Sequence, residues 1–475
     1  MYFMKTSLEC ITGMNPKASF GVLYPPLCGI VQLTNSATLR FQNWSFTKKF
    51  CLVFLMSMLI FFLSGCSPSG SGNNSTRGNV IGVPNVISTV TAAQLDAMTA
   101  AANLQTLTGT AKCDVTVVQI NYQTIGVQPG EMTNASAAIL IPGGAGCPGP
   151  FPLVAYGRGT NVFKVHTMAN PEDPETIRLM SFFAAQGYAV VATDFLGYAL
   201  SDYPYHPYAH ADSEVSVIID SIRAARRAAP SLGLRLNGKV MVTGYSQGGH
   251  SSMATQRAIE RENSEEFNLV AAAHLAGPYY ISNALIDGVT NPISGVQIFV
   301  PFEITSWQKV YGNVYDKASD VFNSPYDSHI ETLFPTLLDQ TTLAGMLPRG
   351  TPAEARDAMF VASYLNDLAT NPNNATIIAG KKQDLLGWNP KAPTTLCGGL
   401  NDPTVKFSIN AQAAYDDFRS RGGANVTLVN VDPEIQQKYG SVLASNPTLY
   451  WNSYHGQYES PFCSQVAKEL FDFYK

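Results

Sequence analysis

The chain has 475 residues, a net charge of −5, 45% hydrophobic residues and only 14% charged ones. That length can bury a full core, and the absence of a basic stripe argues against a nucleic-acid partner. No period of about 20–50 residues recurs, which excludes a solenoid.

Lys48 and Lys49 precede the apolar run FCLVFLMSMLIFFL, residues 50–63. The run is short for a membrane span of about 20 residues and fits the h-region of a signal peptide, about 7–15 residues. It ends in LSGC, which resembles a bacterial lipobox, in which the cysteine is diacylated and becomes the mature N-terminus. Residues 1–47 are too long for a signal n-region and read as an extension ahead of the true translation start. Residues 48–65 read as a lipoprotein signal peptide and Cys66 as the lipidation site. The anchored chain is then exported to the cell envelope, with Ser67 a weak pointer to the outer membrane. Residues 66–88 read as a flexible tether, on the composition SPSGSGNNSTRGN. The alternative is a buried apolar helix with an incidental cysteine.

Beyond Cys66 four cysteines remain: Cys113, Cys147, Cys397 and Cys463. An even number in an oxidising compartment points to disulfides. Of three connectivities, Cys113–Cys147 with Cys397–Cys463 is favoured, since the first pair joins neighbouring segments. Four free buried thiols are the alternative.

Strands are expected at 113–124 and 135–142, parted by a turn near Pro129 and Gly130, and at 151–160 in FPLVAYGRGT. A helix starts at Pro174, with Pro and Glu in its first turn, and stops at Gly187. The apolar strand GYAVVATDFLG follows. The helix 211–229 places Val215, Ile218, Ile219, Ile222 and Ala225 on one stripe. KVMVTGYS supplies the next strand and GGHSSMATQRAIERE the next helix. Alternating helices and apolar strands signal a mostly parallel sheet buried on both faces. From 277 to 390 the alternation lapses into Asn, Pro, Tyr and Phe, with helical stretches such as 352–369, and this part reads as an inserted, mainly helical cap. Residues 89–276 and 391–475 form the two parts of the core. The second holds a strand at 393–399, a helix at 407–420, a strand at 425–431 and a final helix at 464–475.

Ser246 sits where KVMVTGYS meets the helix, flanked by Gly244, Gly248 and Gly249. A strained strand-to-helix turn bearing a nucleophile requires such small neighbours. A serine hydroxyl also needs a base, a group to orient that base, and donors for the oxyanion. Among the seven histidines only His455 lies past the last expected strand and before the final helix. Asp402, three residues past Gly399, is the expected acid, and Asp384 the weaker rival. A turn-initiating aspartate before Pro403 is the bland reading of Asp402, and a surface-loop histidine that of His455. The oxyanion donors are expected to be the amides of Gln247 and of Thr160 or Gly159. His206 and His210 have metal-like spacing but no third ligand, so they read as loop histidines. His250 reads as packing beside the turn and Asp194 as a structural turn. Residues 198–208 read equally as a pocket entrance or a packed loop. No metal or organic cofactor is called for.

VAYGRGT, GYAVVATDFLGYALSDYPYHPYAHADS, VTGYSQGGHSS, CGGLNDPTV and YHG together resemble the secretory lipase family of the α/β-hydrolase superfamily, over residues 94–475. The resemblance implies an α/β-hydrolase fold with an eight-strand-type sheet and a helical cap inserted after the sixth strand. It implies hydrolysis of carboxylic esters through an acyl-serine, with Ser246, Asp402 and His455 as the triad and a small-molecule or lipid ester as substrate. Arg158 stands where such proteins often carry histidine in a YGHGT-like segment. The same triad could serve a peptidase or a polysaccharide or feruloyl esterase. A non-catalytic lipid-binding envelope protein is the reading from another class.

Overall fold

A computed structural model describes residues 76–475. The signal segment, Cys66 and the first part of the tether lie outside the described residues. Nine strands form one sheet in the order β1-β2-β3-β5-β4-β6-β7-β8-β9. They are β1 Val80–Val90, β2 Asp114–Ile125, β3 Met132–Gly143, β4 Phe151–Gly157, β5 Ala189–Thr193, β6 Leu236–Tyr245, β7 Asn268–Leu275, β8 Thr394–Gly398 and β9 Val426–Asn430. β1, β2, β3 and β5 pair antiparallel. From β5 through β4 and β6 to β9 the pairing is parallel. β4, β5 and β8 are buried at every residue, which is why they read as unbroken apolar runs.

The sheet has one strand more than the eight implied by resemblance. The extra strand, β1, begins inside the range 66–88 read as tether, so the tether reading does not hold for its last nine residues. As an edge strand it pairs on one side only, with register shifts. It tolerates Gly82 and Pro84 and leaves Val83 and Val86 exposed, so it lacks the apolar alternation that marks a strand. β7 also goes unseen in the sequence, because its three consecutive alanines have weak strand preference and only burial between β6 and β8 selects them.

With β1 set aside, the cap enters after the sixth strand, between β7 and β8. Its main helices are Ile281–Thr290, Val296–Tyr311, Pro352–Met359, Ala362–Thr370 and Ala375–Gln383. They share a core around Phe302, Trp307, Phe322 and Phe360. The single helix expected over 352–369 is two. Phe360 turns extended to bridge Phe322 and stack near it, with ring centroids 5.6 Å apart.

Beyond β9 the chain is almost continuously helical: Asp432–Ser445, Pro447–Ser453, a wide turn Tyr454–Glu459 and Ser460–Tyr474. Pro447 sits in the first turn of its helix, where a missing N–H leaves no bond unmade, and Pro461 stands just after the junction with the wide turn. No described helix is long and apolar enough to cross a membrane.

Both favoured disulfides are present, Cys113–Cys147 and Cys397–Cys463. The second ties β8 to the last helix and closes 66 residues. In the chain-entropy account such a loop stabilises by about 4 kcal/mol. A Cys397→Ser/Cys463→Ser pair is therefore expected to lose about 2–5 kcal/mol in denaturant unfolding. An unchanged midpoint would show that the bridge contributes nothing.

Candidate active site

Ser246 ends β6 and begins the helix Gln247–Glu262 with φ 58° and ψ −121°. A non-glycine residue held there stores about 1–3 kcal/mol of strain, which only a rigid surround sustains. The surround is backbone packed on backbone. A Cβ on Gly248 would overlap the Gly157 carbonyl, and one on Gly244 would overlap Gly248. The Ser246 amide donates to the Leu275 carbonyl at 2.9 Å.

His455, on the wide turn, reaches Ser246 Oγ with Nε2 at 2.8 Å and Asp402 Oδ2 with Nδ1 at 2.6 Å. Asp402 Oδ1 accepts the amides of Thr404 and Val405 at 2.8 and 3.1 Å. The turn role expected before Pro403 and the contact with His455 are thus both present, on different oxygens. Asp384 caps a cap helix and bonds Ser282 instead.

Glu459, four residues after His455, is wholly buried with Oε2 3.5 Å from His455 Nδ1. It accepts from the Gly399 amide and from the Tyr245 hydroxyl at 3.2 Å. The one proton of Tyr245 is shared between Glu459 and the His455 carbonyl, which the same hydroxyl contacts. Burial, and then the Asp402 charge, raise the Glu459 carboxyl well above its ordinary range. Burial alone would lower His455, but Asp402 and then Glu459 outweigh it and hold the imidazolium above the usual histidine value. If His455 is to accept the Ser246 proton its imidazole must be neutral, so these carboxylates would shift such activity to higher pH. Glu459→Gln is expected to move the acidic limb of kcat/KM to lower pH, read from a pH profile. A limb that stays in place would mean that Glu459 is neutral throughout.

Asp402, His455 and Glu459 also offer three metal-capable atoms within 4.8 Å of one another. The 2.6 Å contact is too short for two ligands on one ion, since tetrahedral bonds of about 2.0–2.1 Å part ligands by roughly 3.3 Å. The pair suits a shared proton.

The segment after β4 is fixed peptide by peptide. Gly159 N–H donates to Glu175 Oε1 at 3.0 Å, and the Gly159 carbonyl accepts from Arg158 Nη1 at 2.9 Å. Gly159, one of the expected oxyanion donors, therefore has its amide occupied. Because a trans peptide is planar, pinning the Gly159 oxygen aims the Thr160 N–H the opposite way. Gln247 opens its helix, so its N–H has no acceptor within the helix and lies at the positive end of the dipole. Arg158 is fully buried, stacks over Tyr198 at 4.0 Å and donates through Nε to the Asp194 carbonyl. Arg158→Met should release this peptide plane and lower kcat roughly 10–100-fold with little change in KM. Steady-state kinetics on an activated ester read that split, and a pure KM effect would contradict it.

Other expected residues are structural. Asp194 accepts from Ser136, Thr167 and the Met168 amide. His250 is buried against Glu214 and the Gln383 carbonyl. His206 and His210 bond separate partners. In the 198–208 stretch Tyr198 is packed, and Tyr208 lines a pocket that Ser246 and Gln247 also line. The other walls are mainly apolar cap residues, including Ile281, Leu285, Val296, Phe299 and Phe360.

The family model described as Secretory lipase matches residues 173–451. The chain belongs to that family. The match takes in Ser246 and Asp402 and ends just before His455. This secretory lipase family member is 34% identical to the rice cell wall degrading esterase LipA from Xanthomonas oryzae, over 84% of its own chain and all of LipA, with a TM-score of 0.74. A Legionella pneumophila protein shares the fold at 20% identity, over 83% and 98% of the two chains, TM-score 0.70. Candida antarctica lipase A does so at 16%, over 74% and 76%, TM-score 0.52. No curated protein matches by sequence. The chain is thus a carboxylic ester hydrolase of the α/β-hydrolase fold, and its membership of a secretory family points to export.

Sequence reading missed Glu459, Tyr245 and Glu175. Glu459 stands one helical turn after His455, a spacing that speaks only once that stretch is known to be helical. Tyr245 adjoins the serine, and Glu175 lies in the first turn of an expected helix.

Proposed function

We propose that the chain hydrolyses acyl or aryl esters with Ser246 as nucleophile, His455 as base and Asp402 as its orienting partner. His455 takes the Ser246 proton as Oγ attacks the ester carbonyl. The amides of Gln247 and Thr160 hold the oxyanion, and protonated His455 then gives its proton to the departing alkoxide. Water, deprotonated by the same imidazole, splits the acyl-serine and frees the acid. The observation that carries this reading is the unbroken chain from Ser246 Oγ through His455 to Asp402, on a strained turn beside an apolar pocket.

The test is hydrolysis of p-nitrophenyl esters from acetyl to palmitoyl, with a peptide amide alongside and a fluorophosphonate to label the nucleophile. Ester turnover with labelling at Ser246 supports the reading. Cleavage of the amide in preference would make it a peptidase, and no labelling would favour a lipid-binding role. A second reading, ester bonds of a plant cell wall polymer, rests on the likeness to LipA. Release of acids from esterified wall material would mark it. Anchoring through Cys66 belongs to the same proposal, and incorporation of labelled palmitate that Cys66→Ser abolishes is its check.

A further inference from the structure

The pocket beside Ser246 is apolar over most of its wall, and most of its polar side chains are occupied. Tyr208 bonds Thr160, Tyr364 bonds Thr376, Asn410 bonds the Tyr280 amide and Lys406 carbonyl, and Arg356 bonds Asp357 and the Val289 carbonyl. Two groups differ. Gln247, only 2% exposed, has a buried Oε1 with no partner among the described residues. Glu303 likewise lines the pocket without a hydrogen bond or ion pair among them.

The orientation of the Gln247 amide follows from its neighbours. Nε2 gives one proton to Glu214 at 2.7 Å and the other to His206 Nε2 at 2.6 Å. His206 is held neutral by burial and then by Arg158, and its Nδ1–H donates to the Leu196 carbonyl, so its Nε2 is an acceptor. Oε1 is therefore left as a buried acceptor without a partner among the described residues.

Glu303 belongs to a helical stripe. Val296, Phe299, Val300 and Glu303 are spaced three, one and three apart on one face of Val296–Tyr311, and all four line the pocket. Three are apolar, as an acyl pocket requires, and the fourth is a carboxyl. It follows Phe302, whose ring stacks on Tyr208 at 4.3 Å. Ser306, one turn further along the same helix, donates to the carbonyl of His206, the residue whose ring Gln247 bonds, so this part of the helix lies at the Gln247 end of the pocket. Burial, and then Glu214, push it up to about 8, so at neutral pH it is chiefly a carboxylic acid that can both donate and accept.

A hydroxyl also donates and accepts. We infer that this pocket selects esters carrying a free hydroxyl close to the ester bond, bound by Glu303, with the rest of the substrate an apolar chain. The inference rests on Ser246 being the nucleophile. An unsubstituted ester would bury the Glu303 carboxyl unpaired, which is the larger penalty. The hydroxyl can belong to the acyl part or to the alcohol part, since both present the same chemistry.

Three esters of matched size separate these sources: ethyl hexanoate, ethyl 3-hydroxyhexanoate and 2-hydroxyethyl hexanoate, assayed with the full chain. One hydroxylated ester is expected to exceed ethyl hexanoate about tenfold in kcat/KM, and which one gains names the side. Glu303→Leu should bring the ratio close to one, while Glu303→Gln, which keeps an acceptor and a donor, retains part of it. Fluorophosphonate labelling of Ser246 reports that each variant is folded. If the leucine variant does not fold, a fall in the ratio for Glu303→Gln carries the result, and an unchanged ratio overturns it. Equal turnover of the three esters, or a preference that survives Glu303→Leu, overturns the inference. If that turnover is still lost in Ser246→Ala, the nucleophile stands and only the pocket reading falls. No hydrolysis of any ester ends both.

Discussion

Ser246→Ala is expected to reduce ester hydrolysis roughly 10⁴–10⁶-fold while the chain stays folded. In enzymes that use a triad as a unit, removing the nucleophile alone costs about as much as removing all three members. The small remainder comes from the oxyanion donors and from binding. The fold should survive, because alanine at φ 58° is no more strained than serine and the turn is held by Gly157, Gly244 and Gly248 rather than by the hydroxyl. The lost contact is one hydrogen bond to a partly solvated imidazole, about 1 kcal/mol. The check is p-nitrophenyl ester turnover beside circular dichroism and a melting curve. Retention of more than about a hundredth of the activity in a folded variant would place the nucleophile elsewhere.

Asp402→Asn is expected to cost roughly 10³–10⁴-fold in kcat. The carboxylate accepts the Nδ1–H of His455 and so leaves Nε2 bare toward Ser246. An asparagine can turn its amide N–H toward Nδ1, which moves the proton to Nε2 and removes the base. Its oxygen can still accept the amides of Thr404 and Val405, so the loop is kept. Glu459 makes this site unusual. It stands 3.5 Å from the same nitrogen and is raised in part by the Asp402 charge. Without that charge it ionises more readily and can take over the Nδ1 proton. The Asp402→Asn/Glu459→Gln pair should therefore fall at least about tenfold below Asp402→Asn, measured as kcat on one ester. Additive losses would show that Glu459 has no such reach.

The sequence by itself determined the elements that carry their own periodicity or punctuation. Ser246 was visible because glycines are needed where a strained turn packs backbone on backbone. His455 and Asp402 were visible because the catalytic edge of a parallel sheet receives the loops after its last strands. The favoured cysteine pairing followed the same order along the chain.

Other features have meaning only through contacts between distant segments. The strand Val80–Val90 is selected by pairing with β2, and β7 by burial between two neighbours. Gly159 could not be told from Thr160 until Glu175 was seen to take the Gly159 amide and Arg158 its carbonyl. Glu459 acquired its place beside His455 from a helical turn that Pro461 and Gly456 conceal in the sequence. The carboxyl of Glu303 gains its place on a largely apolar pocket wall only when the cap folds over the sheet. The physical reason is common to all of them. Periodicity and turn chemistry are local and survive in the sequence, whereas desolvation, peptide-plane orientation and the choice of hydrogen-bond partner are set by residues that meet only in the folded chain.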